Sequence, residues 1–335
     1  MPGSGNDRLH HQTHQTLYPV GKNHPAHLWS DPVKIQKITP DILYLTPDSM
    51  RKLGACAGVV AHGKKATIGI DLNLGPTDSL DALRQFNPDL ALITHYHLDH
   101  SIWIRRAEKT CQAKVLVPEA EAQYLSSLDY VLDRTAGKFN LTREWEDFIV
   151  NTLGFTPLET FETLTSETGL DRYRDGLTPI PTPGHSPGHF SFYFSKEKIL
   201  FSGDMGLDRF GPWYGWPDCD LEGIVQSIDR LSRLDLDLIL TSHGGVINKE
   251  DIPGAWQSSL FSLLKRERRI LDQMDAGLSR EEILKNGVFY PVTSTAPPPM
   301  VRFLEMWDKT MLDHHLKVIR QGGLQHLFPD IWPME

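Results

Sequence analysis

Cysteine is scarce: Cys56, Cys111 and Cys219 stand far apart in a chain of 335 residues. No CxxC pair offers a thiolate metal site, and three widely spaced thiols build no disulfide framework. Long apolar runs are missing as well. No stretch reaches the ~18 uninterrupted apolar residues of a membrane helix, and the segment MPGSGNDRLHHQTHQ carries neither the basic nor the apolar block of a secretion signal. A soluble, cytoplasmic protein without a membrane partner is therefore expected. Positive charge is in deficit: 34 Lys plus Arg face 43 Asp plus Glu, a net charge of -9. That balance argues against an extended footprint for nucleic acid, although a local basic patch stays open.

Histidine, in contrast, is abundant, with 15 residues. A metal site here would use nitrogen and oxygen donors rather than thiolates. Five of the fifteen, His10, His11, His14, His24 and His27, fall in the Gly/Gln/Pro-rich stretch 1–30, which has no hydrophobic period. It is expected to be a flexible tail, with a metal-loading tract as the alternative.

From Ile35 onward, short apolar runs alternate with turn residues. Strands are expected at 42–45, 55–60, 66–71, 89–94, 114–118, 189–194, 198–203 and 236–243. Helical spacing appears at 79–86, at 119–132 and at 220–234, where Leu221, Ile224, Val225, Ile228, Leu231 and Leu234 share a face. Beyond about residue 250 the pattern is helical, at 255–275, 279–286 and 300–321, broken by the Pro-rich run TAPPPM. The resulting division is a tail at 1–30, an α/β unit at 31–250 with a helix-and-loop insertion at about 119–175, and a helical extension at 251–335. Sheet packed on helix in this order is α/β or α+β.

Directly after the apolar run DLALIT comes His95-Tyr96-His97-Leu98-Asp99-His100, which fans four ligand-type side chains from one strand end. Chance would produce this HxHxDH pattern in roughly two of a thousand chains of this composition. Three more candidates sit at or just past strand-like runs: His185 in PTPGHSPGH, Asp204 in ILFSGD and His243 in LILTSHG. Loops at strand ends are where a rigid sheet displays chemistry. Five imidazoles and two carboxylates suit two divalent cations, three imidazoles on one, a carboxylate and two imidazoles on the other, and one carboxylate between.

In this order the motifs resemble the metallo-β-lactamase fold superfamily, over roughly Ile35 to Ile247, with all seven ligand positions filled. The resemblance implies a four-layered αβ/βα sandwich with the site at one edge of the two sheets. It implies that His95, His97 and His185 bind the first metal, that Asp99, His100 and His243 bind the second, and that Asp204 bridges them. Asp71, at the end of ATIGID, matches a position where the family often keeps an Asp that orients a ligand histidine; a turn-forming Asp is the alternative.

Zinc is the expected metal, with iron and manganese compatible with the same donors. Two such cations activate a bridging water for attack on an acyl or phosphoryl centre, with Asp99 and Asp204 as the catalytic carboxylates. A small-molecule substrate is expected, first of all a thioester of coenzyme A or glutathione, with lactone or amide as variants. The helical C-terminal part resembles the glyoxalase II-like branch. The aromatic run 205–219, with Phe210, Trp213, Tyr214 and Trp216, either walls an acyl pocket or covers the core edge. Lys265, Arg266, Arg268 and Arg269 either meet coenzyme A phosphates or form a solvated helix face. His314 and His315 either supply a proton or pack. Two other readings stay open, a phosphodiesterase or nuclease of the same superfamily and an iron-containing redox member. The short interval between Asp204 and His243 leaves no room for an inserted nuclease cap.

Overall fold

The computed structural model describes residues 33–47, 54–290 and 300–327, so the histidine-rich segment 1–30 lies outside the described residues. Seven strands, β1 (Lys34–Lys37), β2 (Ile42–Thr46), β3 (Gly58–His62), β4 (Thr67–Ile70), β5 (Leu90–Leu92), β6 (Lys114–Pro118) and β7 (Glu162–Leu164), form one sheet in sequence order. Its first three pairings are antiparallel and the rest, β4 to β7, parallel. Five more strands, β8 (Leu177–Pro181), β9 (Phe190–Phe194), β10 (Ile199–Phe201), β11 (Leu238–Leu240) and β12 (Val246–Asn248), form a second sheet ordered β12-β11-β10-β9-β8.

The period of two along these strands divides the core. In β5, Leu90 and Leu92 face one apolar cluster while Ala91 faces another; in β10, Ile199 and Phe201 take the first cluster and Leu200 the second. The first cluster draws on both sheets, including Ile68, Ile70, Phe192 and Phe194, and among the described residues no α-helix contributes to it. It is the layer between the sheets. Each fully buried Phe there contributes on the order of 1.5–3 kcal/mol of apolar burial.

The second cluster joins the outer sheet faces to the helices. Those helices are α1 (Pro76–Phe86), α2 (Leu98–Ser101), α3 (Ile104–Cys111), α4 (Ala122–Ser126), α5 (Leu128–Arg134), α6 (Thr142–Asp147), α7 (Leu221–Ser232), α8 (Ile252–Asp275), α9 (Arg280–Lys285) and α10 (Met300–Ile319). In α7, Leu221, Ile224, Val225, Ile228 and Leu231 bury one stripe, and Asp220 caps the first turn by accepting from the Gly223 N–H. Trp256, Leu260, Leu263 and Ile270 of α8 and Phe303, Trp307 and Met311 of α10 join this same core. Sheet on sheet with helices outside gives the four-layered sandwich that the motif order implies.

The sequence reading misses four strands, β1, β7, β8 and β12, and these are the four sheet edges. The reason is physical. An edge strand pairs on one side only and is short or exposed: β1 is exposed throughout, and β8 carries two prolines, Pro179 and Pro181, which the edge tolerates. The expected helix at 119–132 is also interrupted. A 3-10 turn at Glu119–Glu121 precedes α4, and Ser127 then breaks the chain and caps α5 by accepting from the Tyr130 N–H. The segment 119–175 is otherwise mostly helix and loop as expected, with one short strand, β7, that forms a sheet edge.

Candidate metal centre

Strand ends of both sheets meet at one edge. Beyond β5, the Thr94 carbonyl accepts from the Phe190 N–H at the start of β9 (2.8 Å), while the Tyr44 hydroxyl donates to the Thr241 carbonyl beyond β11 (2.6 Å). These cross-links place the loops after β4, β5, β10 and β11 and the β8–β9 loop side by side. All seven residues singled out by sequence arrive there.

His95, His97 and His185 form one group. His185 donates through Nδ1 to the Trp213 carbonyl (2.8 Å), which leaves a lone pair on Nε2. That Nε2 lies 2.8 Å from His97 Nδ1 and 3.1 Å from His95 Nε2. Burial, first of all, holds the three rings below the usual histidine pKa. One proton can join only two of three converging neutral rings. A divalent cation accepts all three.

Asp99, His100, Asp204 and His243 form the second group. His243 Nε2 lies 3.1 Å from Asp99 Oδ2 and 3.4 Å from Asp204 Oδ1, and His100 Nε2 lies 3.3 Å from the same Asp204 oxygen. Burial opposes charge on His243, but Asp204 and Asp99 outweigh it and push the ring up to about 10. His100 Nε2 and Asp204 Oδ1 are buried with no hydrogen-bond partner, so the donor set presents unmet ligand atoms. The other Asp204 oxygen, Oδ2, lies 3.5 Å from His185 Nε2 in the first group. The donors thus suit divalent metals.

A surrounding layer of hydrogen bonds orients these ligands. Asp71, fully buried at φ 48°, accepts from Thr94 N (2.8 Å) and Thr94 Oγ1 (2.6 Å) and pairs with His100 Nδ1 (2.8 Å). Already accepting both Thr94 bonds, the Asp71 side chain takes the His100 Nδ1–H as a third, which leaves Nε2 to face Asp204. Asn73 donates its side-chain amide to the carbonyls of Asp99 (2.6 Å) and Gly54 (2.9 Å).

Sequence reasoning missed three further residues. His189, assigned no role there, accepts the Asp204 N–H at Nε2 (3.0 Å) and pairs through Nδ1 with Thr182 Oγ1 (2.7 Å). Its signal was the second GH of PGHSPGH. Glu121, hidden in a helical pattern, is a fully buried carboxylate between two ligand loops. Asp208 lines the cleft beside the metal groups, and no residue pattern marked it.

The cleft has an empty volume of about 360 Å³ and is lined by His185, Asp204, His243, Leu207, Asp208 and Trp213 among others. Trp213 stands edge-on to His97 at 5.5 Å and donates Nε1–H to the Tyr290 hydroxyl (2.7 Å). The aromatic run divides: Trp213 lines the cleft, while Tyr214 and Trp216 are buried in the core. His314 and His315 stay away from the ligands, bonded to the Trp216 carbonyl and the Tyr214 hydroxyl. Arg266 donates to the Pro212 and Phe210 carbonyls, Arg269 to those of Gly287 and Val288, and Arg268 pairs with Asp272. Three of the four clustered cations thus hold the protein itself. Among the described residues, no helix is long and apolar enough to cross a membrane.

The chain matches the model of the Metallo-beta-lactamase superfamily over residues 69–243. It is 30% identical over 131 residues to the beta-lactamase-like protein 2 homolog of Caenorhabditis elegans, a match covering 38% of this chain and 41% of that one. To the hydroxyacylglutathione hydrolase of Bartonella quintana it is 27% identical over 150 residues, covering 44% and 47%. The chain spans about half the length of the curated relatives it matches. In fold it is similar to a metallo-beta-lactamase family protein of Thermus thermophilus, with TM-score 0.63, 20% identity, and coverage of 85% and 94%. Two sheets with helices outside, HxHxDH after β5, His185, Asp204 and His243 at neighbouring strand ends, and a family match spanning more than half of the sequence agree: the chain belongs to the metallo-beta-lactamase superfamily.

Proposed function

We propose that this protein is a dinuclear metal-dependent hydrolase of carbonyl substrates, with a thioester favoured over lactone or amide. His95, His97 and His185 would hold one divalent cation and Asp99, His100 and His243 the other, with Asp204 shared. Zinc is the preferred ion, iron and manganese being compatible. The observation that carries this reading is the position of Asp204, one oxygen turned to each group.

When bound, such a pair of cations supplies an activated water and polarises the substrate oxygen. The protein's part is orientation. Asp204, which lines the cleft, and Asp99, beside His243, would offer acceptors that align a water and hold its proton on a carboxylate oxygen. His189 fixes the backbone of Asp204, and Asp71 fixes the His100 ring, so these acceptors hardly move during reaction. Trp213 and Leu207 give an apolar wall that suits an acyl chain.

Two observations favour carbonyl over phosphodiester chemistry. No Lys or Arg lines the cleft among the described residues, and Arg266 and Arg269 donate to backbone carbonyls rather than facing outward for phosphate. The similarity to a hydroxyacylglutathione hydrolase supports an acyl-thiol substrate. A panel of acyl-coenzyme A and acylglutathione thioesters, a lactone, a β-lactam and a phosphodiester tests the reading. Thioester turnover is expected to exceed that of the diester by orders of magnitude; turnover of the diester alone would overturn it.

A further inference from the structure

Glu121 ends the 3-10 turn that follows β6, and its carboxylate is fully buried. It touches none of the seven candidate ligands through a ligand atom. Its Oε2 accepts from the Tyr96 N–H at 2.6 Å, and its Oε1 accepts from the Gly188 N–H at 2.8 Å and from the Ser186 hydroxyl. Tyr96 lies between His95 and His97. Ser186 directly follows His185, and Gly188 directly precedes His189. One carboxylate therefore ties together the two loops that carry the three-histidine group.

The neighbourhood is built around that carboxylate. A Cβ on Gly188 would lie 2.8 Å from Glu121 Cγ, so only glycine lets the 185–189 loop come this close. All three partners are donors, and they divide between the two oxygens. Three imidazoles that must meet at one point need the spacing between their loops fixed, since ligands held by oriented neighbours bind metal more tightly. Burying a carboxylate is costly unless donors surround it, and here three donors from the two loops do so.

We propose that Glu121 is a positioning residue for the three-histidine group, its carboxylate setting the distance between the His95–His97 turn and the His185 loop. The inference rests on the reading that these histidines hold a metal. Glu121→Gln keeps the shape, but its amide can satisfy only one side. With the amide oxygen toward Ser186 and Gly188, its N–H2 faces the Tyr96 N–H, and the first loop loses its anchor.

The test is a cobalt(II) titration of the chelator-stripped full chain, followed by its visible ligand-field absorption. Wild type, Glu121→Gln and Ser186→Ala are compared, and His185→Ala identifies the binding step that belongs to the three-histidine group. Thermal unfolding of each metal-free protein is recorded alongside. Glu121→Gln is expected to weaken the three-histidine step by about tenfold or more and to move the other step much less, with the metal-free unfolding midpoint lowered only by the one unpaired Tyr96 N–H. Ser186→Ala, which removes one donor, is expected to weaken the same step to a smaller degree. Equal weakening of both steps together with a lowered metal-free midpoint overturns the proposal in favour of a fold-wide role. If Glu121→Gln does not fold, an unchanged three-histidine step in Ser186→Ala overturns it. Cobalt uptake by wild type with unchanged variants overturns the positioning role alone, whereas a wild type that takes up no cobalt overturns the metal reading beneath it.

Discussion

Asp71 Oδ2 lies 2.8 Å from His100 Nδ1, with both side chains fully buried. The pair decides which nitrogen of His100 carries the proton. An Asn at this position would turn its amide N–H2 toward Nδ1, because the other oxygen must still accept from Thr94 N. The proton would then move to Nε2, the atom that faces Asp204. Asp71→Asn is therefore expected to lower affinity for the second ion by about 10–100-fold, measured by competition with a chelator of known affinity. Unchanged affinity would show that the tautomer is set elsewhere.

Much of this centre was legible in the sequence because its ligands cluster. HxHxDH gives four donors from one strand end, and His185, Asp204 and His243 each follow an apolar run, so strand endings alone point them to a common edge. The groups that orient the ligands were less visible. Glu121 lies in a run, EAEAQ, whose composition is that of an ordinary exposed helix, and only the fold shows it buried between two loops. His189 differs from a packed histidine only in what its Nε2 meets. Asp71 was legible through the family motif, whereas Asp208, in a loop without periodicity, carried no mark. The central strands β2 to β6 and β9 to β11 announced themselves by burial, and the sheet edges did not, because an edge needs no apolar run.

Gly203 joins the fold to the site. Its φ is 62°, and a Cβ there would lie 2.5 Å from His189 Nε2, the acceptor of the Asp204 N–H. Gly203→Ala must strain the backbone and push His189 away. A loss of about 1–3 kcal/mol in urea unfolding, together with reduced metal content, is expected. Wild-type stability and full metal loading would contradict this role for the turn.

The three thiols should be silent. Burial pushes Cys56 up to about 12, raises Cys219 well above the ordinary thiol range and raises Cys111 too. Each thiol is an acid whose folded value exceeds its unfolded one, so the folded state favours the neutral form. For Cys56 the contribution is neutral below the usual value near 9, and stability falls as pH climbs from there toward 12. At pH 8 the native protein is expected to consume almost no iodoacetamide, while the denatured chain consumes three equivalents. Rapid modification of the native protein at that pH would be inconsistent with these environments.

Asp208 lines the cleft beside Asp204 and His243, where it would add negative charge against that of the proposed cations. It is half-buried, raised above the usual aspartate value by that burial, and among the described residues no Lys or Arg lines the cleft to offset it. An acyl group bearing a carboxylate would meet repulsion, and a neutral or donor-bearing one would not. Asp208→Asn is expected to raise kcat/KM for a dicarboxylic acyl thioester several-fold relative to a neutral acyl thioester of equal length, chiefly through KM. An unaltered ratio would place Asp208 outside substrate recognition.

A dinuclear centre shared through Asp204 requires both ions for turnover. Elemental analysis of wild type and Asp204→Ala, coupled to a thioester hydrolysis assay on the same samples, tests it most directly. Two divalent ions per wild-type chain are expected, with a folded Asp204→Ala protein that holds fewer ions and has lost hydrolysis. Full wild-type activity with fewer than two ions per chain, or undiminished activity in folded Asp204→Ala, would contradict it.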